Sequence, residues 1–319
     1  MSEDYPRTLM ELEERFSTEE ACVDYLAEMR WPEGFRCSGC GGEQAWRATR
    51  SRWVCHNCGW ETTVTAGTIF ADSRLPLRLW FRAIWQVVTQ KDGASAMGLQ
   101  RVLGLGSYRT AWSLLHKLRR AMVRPGRDRL CGPVEVDECY IGATEPGNNG
   151  RQAGRKALVV AAVECVGARK IGRIRLSKIA AANATELEAF IGDVIEPGAI
   201  VRTDDWSGYR GLRAKGCYKH DPTPMRASSA SEEATLPRVH LVFSLLKRWL
   251  MSTHQGAVRH SHLDYYLDEF AFRFNRRKSA SRGKLFYRLL QQAATIGPQP
   301  YRTLRGETAH NHNRKGSLV

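Results

Sequence analysis

The chain has 319 residues, 43% hydrophobic and 25% charged, a length and balance suited to two or three domains with proper cores. No apolar run approaches the ~20 residues of a membrane span, which excludes an integral helical membrane protein. The formal net charge of +15 points to a polyanionic partner, with nucleic acid first.

The start, Met-Ser-Glu-Asp-Tyr-Pro, has no basic-then-apolar signal pattern, so an intracellular, cytoplasmic location with the nucleoid is expected. Thr18 to Trp31 reads as an amphipathic helix, with capping chemistry at Ser17 and Thr18 and Trp31-Pro32 as its stop. Two cysteine pairs follow, Cys37-x-x-Cys40 and Cys55-x-x-Cys58, fourteen residues apart and each followed by Gly. In a reducing compartment such pairs read as metal ligands, and four thiolates make a closed, structural zinc site. Ala45–Arg47 and Ser51–Val54 suit short antiparallel strands between the pairs, which gives a zinc ribbon. The other five cysteines are scattered and read as free thiols.

Leu77 to Val88 carries a broad apolar helical face, opened by Leu75-Pro76. A short helix from Ala94, a turn at Gly104-Leu-Gly106 and a helix from Ser107 to Met122 follow. The last has Arg109, His116, Lys117, Arg119 and Arg120 on its polar face. That order matches a helix-turn-helix DNA reader, with Arg109, Lys117 and Arg120 as the foremost contacts. A helical bundle with a solvated basic face has the same pattern. Arg124 to Arg129 is a turn-rich linker.

Beyond it the pattern becomes strand-rich. Val134 to Gly142 alternates as a strand with Asp137 in its middle. A carboxylate there is costly unless a charge answers it, and a divalent cation with oxygen ligands is one answer. Ala157–Val166 and Lys170–Leu176 are two more strands, Thr185–Ile195 a helix, and Ala199–Asp204 a strand ending in a carboxylate. A short strand near Gly216–His220 leads to a polar loop, a long helix from Pro237 and a helix over Leu263–Phe274. A basic tail is expected after that, since Ala271–Val319 holds eleven Lys or Arg against one Glu. Three strands followed by alternating helices and strands fit an α/β sheet of ribonuclease-H type, with Asp137 and Asp204 on neighbouring strands.

These segments resemble, over nearly the whole chain, the bacterial zinc-ribbon insertion-sequence transposases of the DDE type. The resemblance rests on the four cysteines, on Val136-Asp-Glu-x-Tyr-Ile-Gly142, and on Thr203-Asp-Asp-Trp-x-Gly-Tyr209. It also rests on Val239-His-x-x-x-Ser-x-Leu-Lys-Arg248, Thr253-His-Gln-Gly256 and Leu267-Asp-Glu-Phe-x-Phe-Arg-Phe-Asn-Arg-Arg277. It implies a ribonuclease-H-like core that uses two divalent metals, Mg²⁺ or Mn²⁺, for DNA cleavage and strand transfer. Asp137 and Asp204 would be the first two metal ligands. The third acidic position falls on His240, a departure from the plain pattern, and Lys247 lies two helical turns further along the same face. Partners implied are double-stranded DNA, both the element's terminal inverted repeats and its target, and further copies of the chain on that DNA. Among other carboxylates, Glu138 should point to the opposite strand face, Glu232 and Glu233 sit in the loop before the long helix, and Glu269 should pair with a nearby Arg.

The expected domains are a helix and zinc ribbon (1–72), a helix-turn-helix region (73–130), the ribonuclease-H-like domain (131–295) and the basic tail (296–319). A DNA-binding regulator with an inert nuclease-like core, or a nuclease without strand transfer, shares the same composition.

Overall fold

The computed structural model of the chain describes residues 3–124, 126–142, 156–167, 170–214, 216–223, 236–256 and 258–304. Glu232 and Glu233, most of the polar loop before the long helix, and residues 305–319 of the basic tail lie outside the described residues. The chain divides into two compact units, one of Met1–Arg124 with Ser279–Val319 and one of Pro125–Lys278.

In the first unit, α1 (Leu9–Arg15) and α2 (Glu19–Arg30) each start at a threonine, Thr8 and Thr18, whose hydroxyl accepts a backbone N–H of the first turn. The sequence pattern missed α1, which is about two turns long with a single buried residue, Leu12. Strands β1 (Ala45–Ala48), β2 (Arg52–Cys55) and β3 (Glu61–Thr63) form an antiparallel sheet. Arg30 at the end of α2 donates to the carbonyls of Thr63 and Val64 at 2.9 and 2.7 Å, which ties that helix to the sheet.

Helix α3 (Leu77–Thr89) has Pro76 as its N-cap and so has no capping side chain of its own. Glu19 supplies the missing acceptor from α2, taking the N–H groups of Leu77 and Arg78 at 2.6 and 3.2 Å. Helix α4 (Ala96–Leu103) is capped by Ser95 and ends at Gly104, whose φ of 62° is the left-handed conformation that favours glycine. Ser107 then caps α5 (Tyr108–Ala121).

The second unit is built on a five-stranded sheet of β4 (Pro133–Ile141), β5 (Ala157–Val166), β6 (Lys170–Ile179), β7 (Ile200–Asp204) and β8 (Lys219–Thr223), in the order β6-β5-β4-β7-β8. The first three strands run antiparallel, and β7 and β8 are parallel to β4. Helix α6 (Ala184–Val194), capped by Asn183, lies between β6 and β7, and the short α7 (Gly211–Ala214) precedes β8. Helices α8 (Pro237–His254) and α9 (Leu263–Asn275) complete the unit.

The sheet is covered on both faces. Val134, Val136, Leu158, Val160 and Val201 pack with Leu187, Phe190 and Ile191 of α6 and with Tyr209. Val159, Ala161, Val163 and Ile174 pack on the other side with Val239, Phe243 and Leu246 of α8 and Leu267 and Phe270 of α9. That double cover is why β5 reads as a continuous apolar run instead of an alternating one.

After α9 the chain returns to the first unit with α10 (Arg282–Thr295) and the single turn α11 (Tyr301–Leu304). Here the expected basic tail is corrected. Leu285, Phe286, Leu289, Leu290 and Ala293 are buried, and α10 lies against α2, α3 and α5. Phe286 meets Phe16, Phe81 and Trp85 in an aromatic cluster with centroids 5.7–6.0 Å apart. The expected domain boundary at residue 295 coincides with the end of α10, whose contacts are in the first unit. Gly283 is required there, since a Cβ on it would stand 1.8 Å from the Pro6 carbonyl oxygen. Among the described residues no helix is long and apolar enough to cross a membrane.

Candidate functional site

The two Cys-x-x-Cys-Gly segments fold as matching knuckles. The N–H of Gly41 bonds the Cys37 carbonyl at 2.9 Å and that of Gly59 the Cys55 carbonyl at 3.0 Å. Both glycines have positive φ, 76° and 70°, and so can turn the chain back without a Cβ penalty. The thiols converge: Cys37 Sγ lies 3.7 Å from Cys58 Sγ, and Cys40 Sγ 3.6 Å from Cys55 Sγ. All four ligand atoms fall within 4.8 Å of one another. Tetrahedral zinc with Zn–S bonds of ~2.3 Å requires S···S separations of about 3.8 Å, so the donor set fits that ion. Backbone N–H groups of Gly39 and Gly42 point at Cys37 and Cys40 Sγ, both at 3.4 Å, as expected for thiolates carrying negative charge.

The second cluster forms where β4, β7 and α8 meet. In the parallel β4–β7 ladder Glu135 pairs with Arg202. Continuing that register by two residues brings Asp137 level with Asp204 on the same sheet face. Asp137 Oδ2 lies 3.1 Å from His240 Nε2, which α8 presents from its first turns. The Asp137 side chain is 15% exposed and that of His240 51%, so the pair is open to solvent from the helix side. Burial pushes the Asp137 carboxyl above its ordinary range and the nearby negative charge of Asp204 adds to this, while hydrogen bonding from the Glu138 backbone and the His240 ring oppose it. Asp204 Oδ1 accepts the Trp206 N–H at 3.2 Å, which orients it at the strand end. Lys247 is exposed further along α8.

Among the described residues only the four cysteines gather three or more ligand atoms within 4.8 Å; Asp137, Asp204 and His240 are not drawn together that closely. Glu138 points to the opposite face, as alternation requires, where it accepts from Tyr209 OH at 2.7 Å. Glu269 is fully buried and pairs with Arg273 at 2.8 Å. His254 stacks edge-on between Trp249 and Tyr266, both at 4.7 Å.

Sequence reasoning missed Glu135. The strand reading gave it no role, but it is 1% exposed and faces the start of α8. Its Oε2 accepts from the backbone N–H groups of Arg238 and Val239 at 2.8 and 3.0 Å, and its Oε1 from Arg238 Nη1 at 2.7 Å. The detectable signal was a helix opening with Leu236-Pro237, which has no capping oxygen of its own.

The polar face expected for α5 is also corrected in part. His116 and Arg119 are buried, with His116 stacked on Trp112 at 4.0 Å and its Nε2 3.3 Å from Arg119 Nη1. Lys117 is half-buried; its ammonium reaches the Ala71 carbonyl at 3.4 Å and sits over the Trp80 ring, and burial lowers its pKa. Arg109 is exposed, with its guanidinium 3.9 Å above the Tyr301 ring, and Arg120 is half-exposed.

Residues 17–61 match the transposase zinc-ribbon domain, and residues 129–275 match the ISXO2-like transposase domain. The chain belongs to the zinc-ribbon, ISXO2-like transposases. The second match lies inside the second compact unit and ends with α9. The transposase is also 26% identical over 278 residues to a protein of transposable element ISH50 from Halobacterium salinarum, across 81% of this chain and 91% of that one. A chain from the simian T-cell lymphotropic virus intasome in complex with PP2A regulatory subunit B56 gamma aligns with 53% of the transposase and 63% of its own length, at 13% identity and a TM-score of 0.28. That likeness is too low to bear on the fold. Between them, the two domain matches take in the four thiols in the first unit and Asp137, Asp204 and His240 in the second.

Proposed function

We propose that the second unit is a ribonuclease-H-like nuclease core and that Asp137, Asp204 and His240 hold its divalent metal, Mg²⁺ or Mn²⁺, for cleavage and strand transfer at the ends of an insertion sequence. The observation that carries this reading is the meeting of Asp137 with His240 at 3.1 Å, beside a strand whose last residue is Asp204. The sheet order β6-β5-β4-β7-β8, with the last two strands parallel to β4, supports the fold assignment. A cation at the cluster would remove the two penalties that raise the Asp137 pKa, its burial and its like-charged neighbour.

A bound divalent pair supplies charge stabilisation to both the attacking and the leaving oxygen of a phosphodiester. The chain's own groups do the rest. Asp137 and Asp204 provide anionic oxygen donors from adjacent, rigid strands. His240 provides a neutral nitrogen, a softer donor than the carboxylate usual for Mg²⁺. Lys247 offers an ammonium to a phosphate on the exposed side of α8. The zinc ribbon and the α4–α5 pair, as a helix-turn-helix with Arg109 and Arg120 as its contacts, hold the terminal repeats, while Lys117, first expected beside them, is turned onto Ala71 and Trp80. Several copies act together on the paired ends.

The test is incubation of the protein with Mn²⁺ or Mg²⁺ and a duplex that carries the element's end. Nicking and joining are expected. Asp137→Asn and Asp204→Asn should abolish both while end binding persists. Normal cleavage by the Asp137→Asn protein overturns the site, and binding without any cleavage by the unaltered protein favours a regulator with an inert core.

A further inference from the structure

Helix α8 begins with Pro237, and its N-cap residue Leu236 makes no side-chain cap bond. Its first-turn N–H groups, those of Arg238 and Val239, have no acceptor within the helix and face the sheet, and Val239 is fully buried. Water cannot answer them there, and an unanswered buried donor is costly. Glu135 answers both through Oε2, at 2.8 and 3.0 Å, and pairs with the Arg238 guanidinium through Oε1 at 2.7 Å. That guanidinium also donates to the Gly167 carbonyl at 3.0 Å, so the anchor extends to the end of β5.

Its placement matters more than its strength. On the strand, the next residue on the same face after Glu135 is Asp137. On the helix, the residue after Val239 is His240. The anchor and the Asp137–His240 pair are therefore consecutive contacts between the same two elements. The apolar side chains of α8 (Val239, Val242, Phe243, Leu246) fasten it to the sheet through non-directional contacts. Bonds from a charged acceptor to two backbone donors add a directional constraint on its position along the strand. Glu19 plays the corresponding part for α3, where Pro76 likewise lacks a capping oxygen.

We propose that Glu135 is a positioning residue of the active site: it sets the register of α8 on β4 and so fixes where His240 and Lys247 stand relative to Asp137. The inference rests on the reading of Asp137 and His240 as the active site. Glutamine keeps the shape of Glu135 but offers one acceptor oxygen to three donors and turns an amide N–H₂ toward the others. Alanine leaves all of them unanswered.

The experiment measures Mn²⁺-dependent cleavage of a duplex carrying the element's end, together with the affinity for that duplex. Glu135→Gln should lower the maximal cleavage rate about tenfold and Glu135→Ala about a hundredfold, the scale of a ~1 Å misplacement of reacting groups. End-DNA affinity should stay within about twofold. The deciding measurement is a double-mutant cycle with His240→Ala. If Glu135 acts through His240, Glu135→Gln costs little further in the His240→Ala protein. If the two losses multiply, Glu135 serves stability alone and the inference fails. Because Glu135→Ala can fail to fold, the cycle uses Glu135→Gln, checked by its melting temperature. Asp137→Asn separates the two levels. Active Asp137→Asn protein overturns the site itself. Inactive Asp137→Asn beside a Glu135→Gln protein of normal rate overturns only the positioning role.

Discussion

The proposed site puts His240 where a plain DDE site has a carboxylate, and that single difference makes a sharp prediction. His240→Glu replaces a nitrogen donor by a hard oxygen, so cleavage should persist with its preference moved from Mn²⁺ toward Mg²⁺. His240→Ala should cost less than either aspartate change; the check is the cleavage rate in each metal. A second residue-level prediction concerns Glu164, which is 8% exposed and bonds Arg173 at 2.5 Å. Burial alone would raise its carboxyl, but the Arg173 guanidinium and the N–H groups of Arg173 and Cys131 outweigh that and hold it below its ordinary 4.5. A depressed carboxyl stabilises the fold only while ionised. Its contribution is therefore full above about pH 4.5 and lost as pH falls through the lowered value. Glu164→Gln should lower the melting temperature at pH 7 and leave a much smaller gap at the acid end. At this scale the four cysteines were legible from a spacing that chemistry requires, and Asp137, Asp204 and His240 stood out as candidates because each departs from its local apolar pattern or falls at a position of the family motif. Glu135 stayed hidden because a buried and an exposed glutamate look alike in an alternating strand until the opposing helix start is known.

Among the elements, the zinc ribbon depends least on a hydrophobic core and most on its ligands. Among the described side chains of residues 36–64, only Cys37, Val54, Cys55 and Val64 are buried. Metal analysis should find zinc near one equivalent, and a strong chelator or Cys37→Ser should unfold the ribbon, since structural zinc contributes on the order of 10 kcal/mol to such folds. End-DNA binding should fall while the sheet unit keeps its circular dichroism. In α5, Arg109→Ala and Arg120→Ala should weaken binding to the ends and flatten its salt dependence, as each lost phosphate contact lowers the counterion slope by about one. Lys117→Ala should instead show mainly as lower stability, because its ammonium is turned onto Ala71 and Trp80. The sequence anticipated most element positions: α2, α3, α5, β5 and β7 start and stop within a residue or two of the capping and periodicity signals, and α8 starts at the expected Pro237 but runs on through His254. It missed α10, whose Leu285, Phe286, Leu289, Leu290 and Ala293 are spaced for a helix face but sit among basic residues that read as a tail. It also missed β3, three residues of mixed polarity held by pairing to β2 instead of by any pattern of their own.

For the molecule as a whole, two units with separate cores should unfold in two steps, so no single unfolding free energy describes the chain. Phe286→Ala should cost about 3–5 kcal/mol in the first unit, and Phe243→Ala a similar amount in the second. Calorimetry should then show one transition move in each variant while the other stays, and chelation of zinc should move the same one as Phe286→Ala. The first unit is also split along the chain: it opens with residues up to Arg124 and closes only with α10, after the whole sheet unit has been threaded between. During synthesis this sets a timetable. At roughly 5–20 residues per second, some 10–30 s separate the emergence of α5 from that of α10. Through that interval Phe16, Phe81 and Trp85 await Phe286, while the later sheet unit can already fold. A ribosome that stops between α9 and α10 releases a protein whose sheet unit is whole but whose zinc-ribbon unit still lacks Phe286, so the core that is begun first is the one finished last.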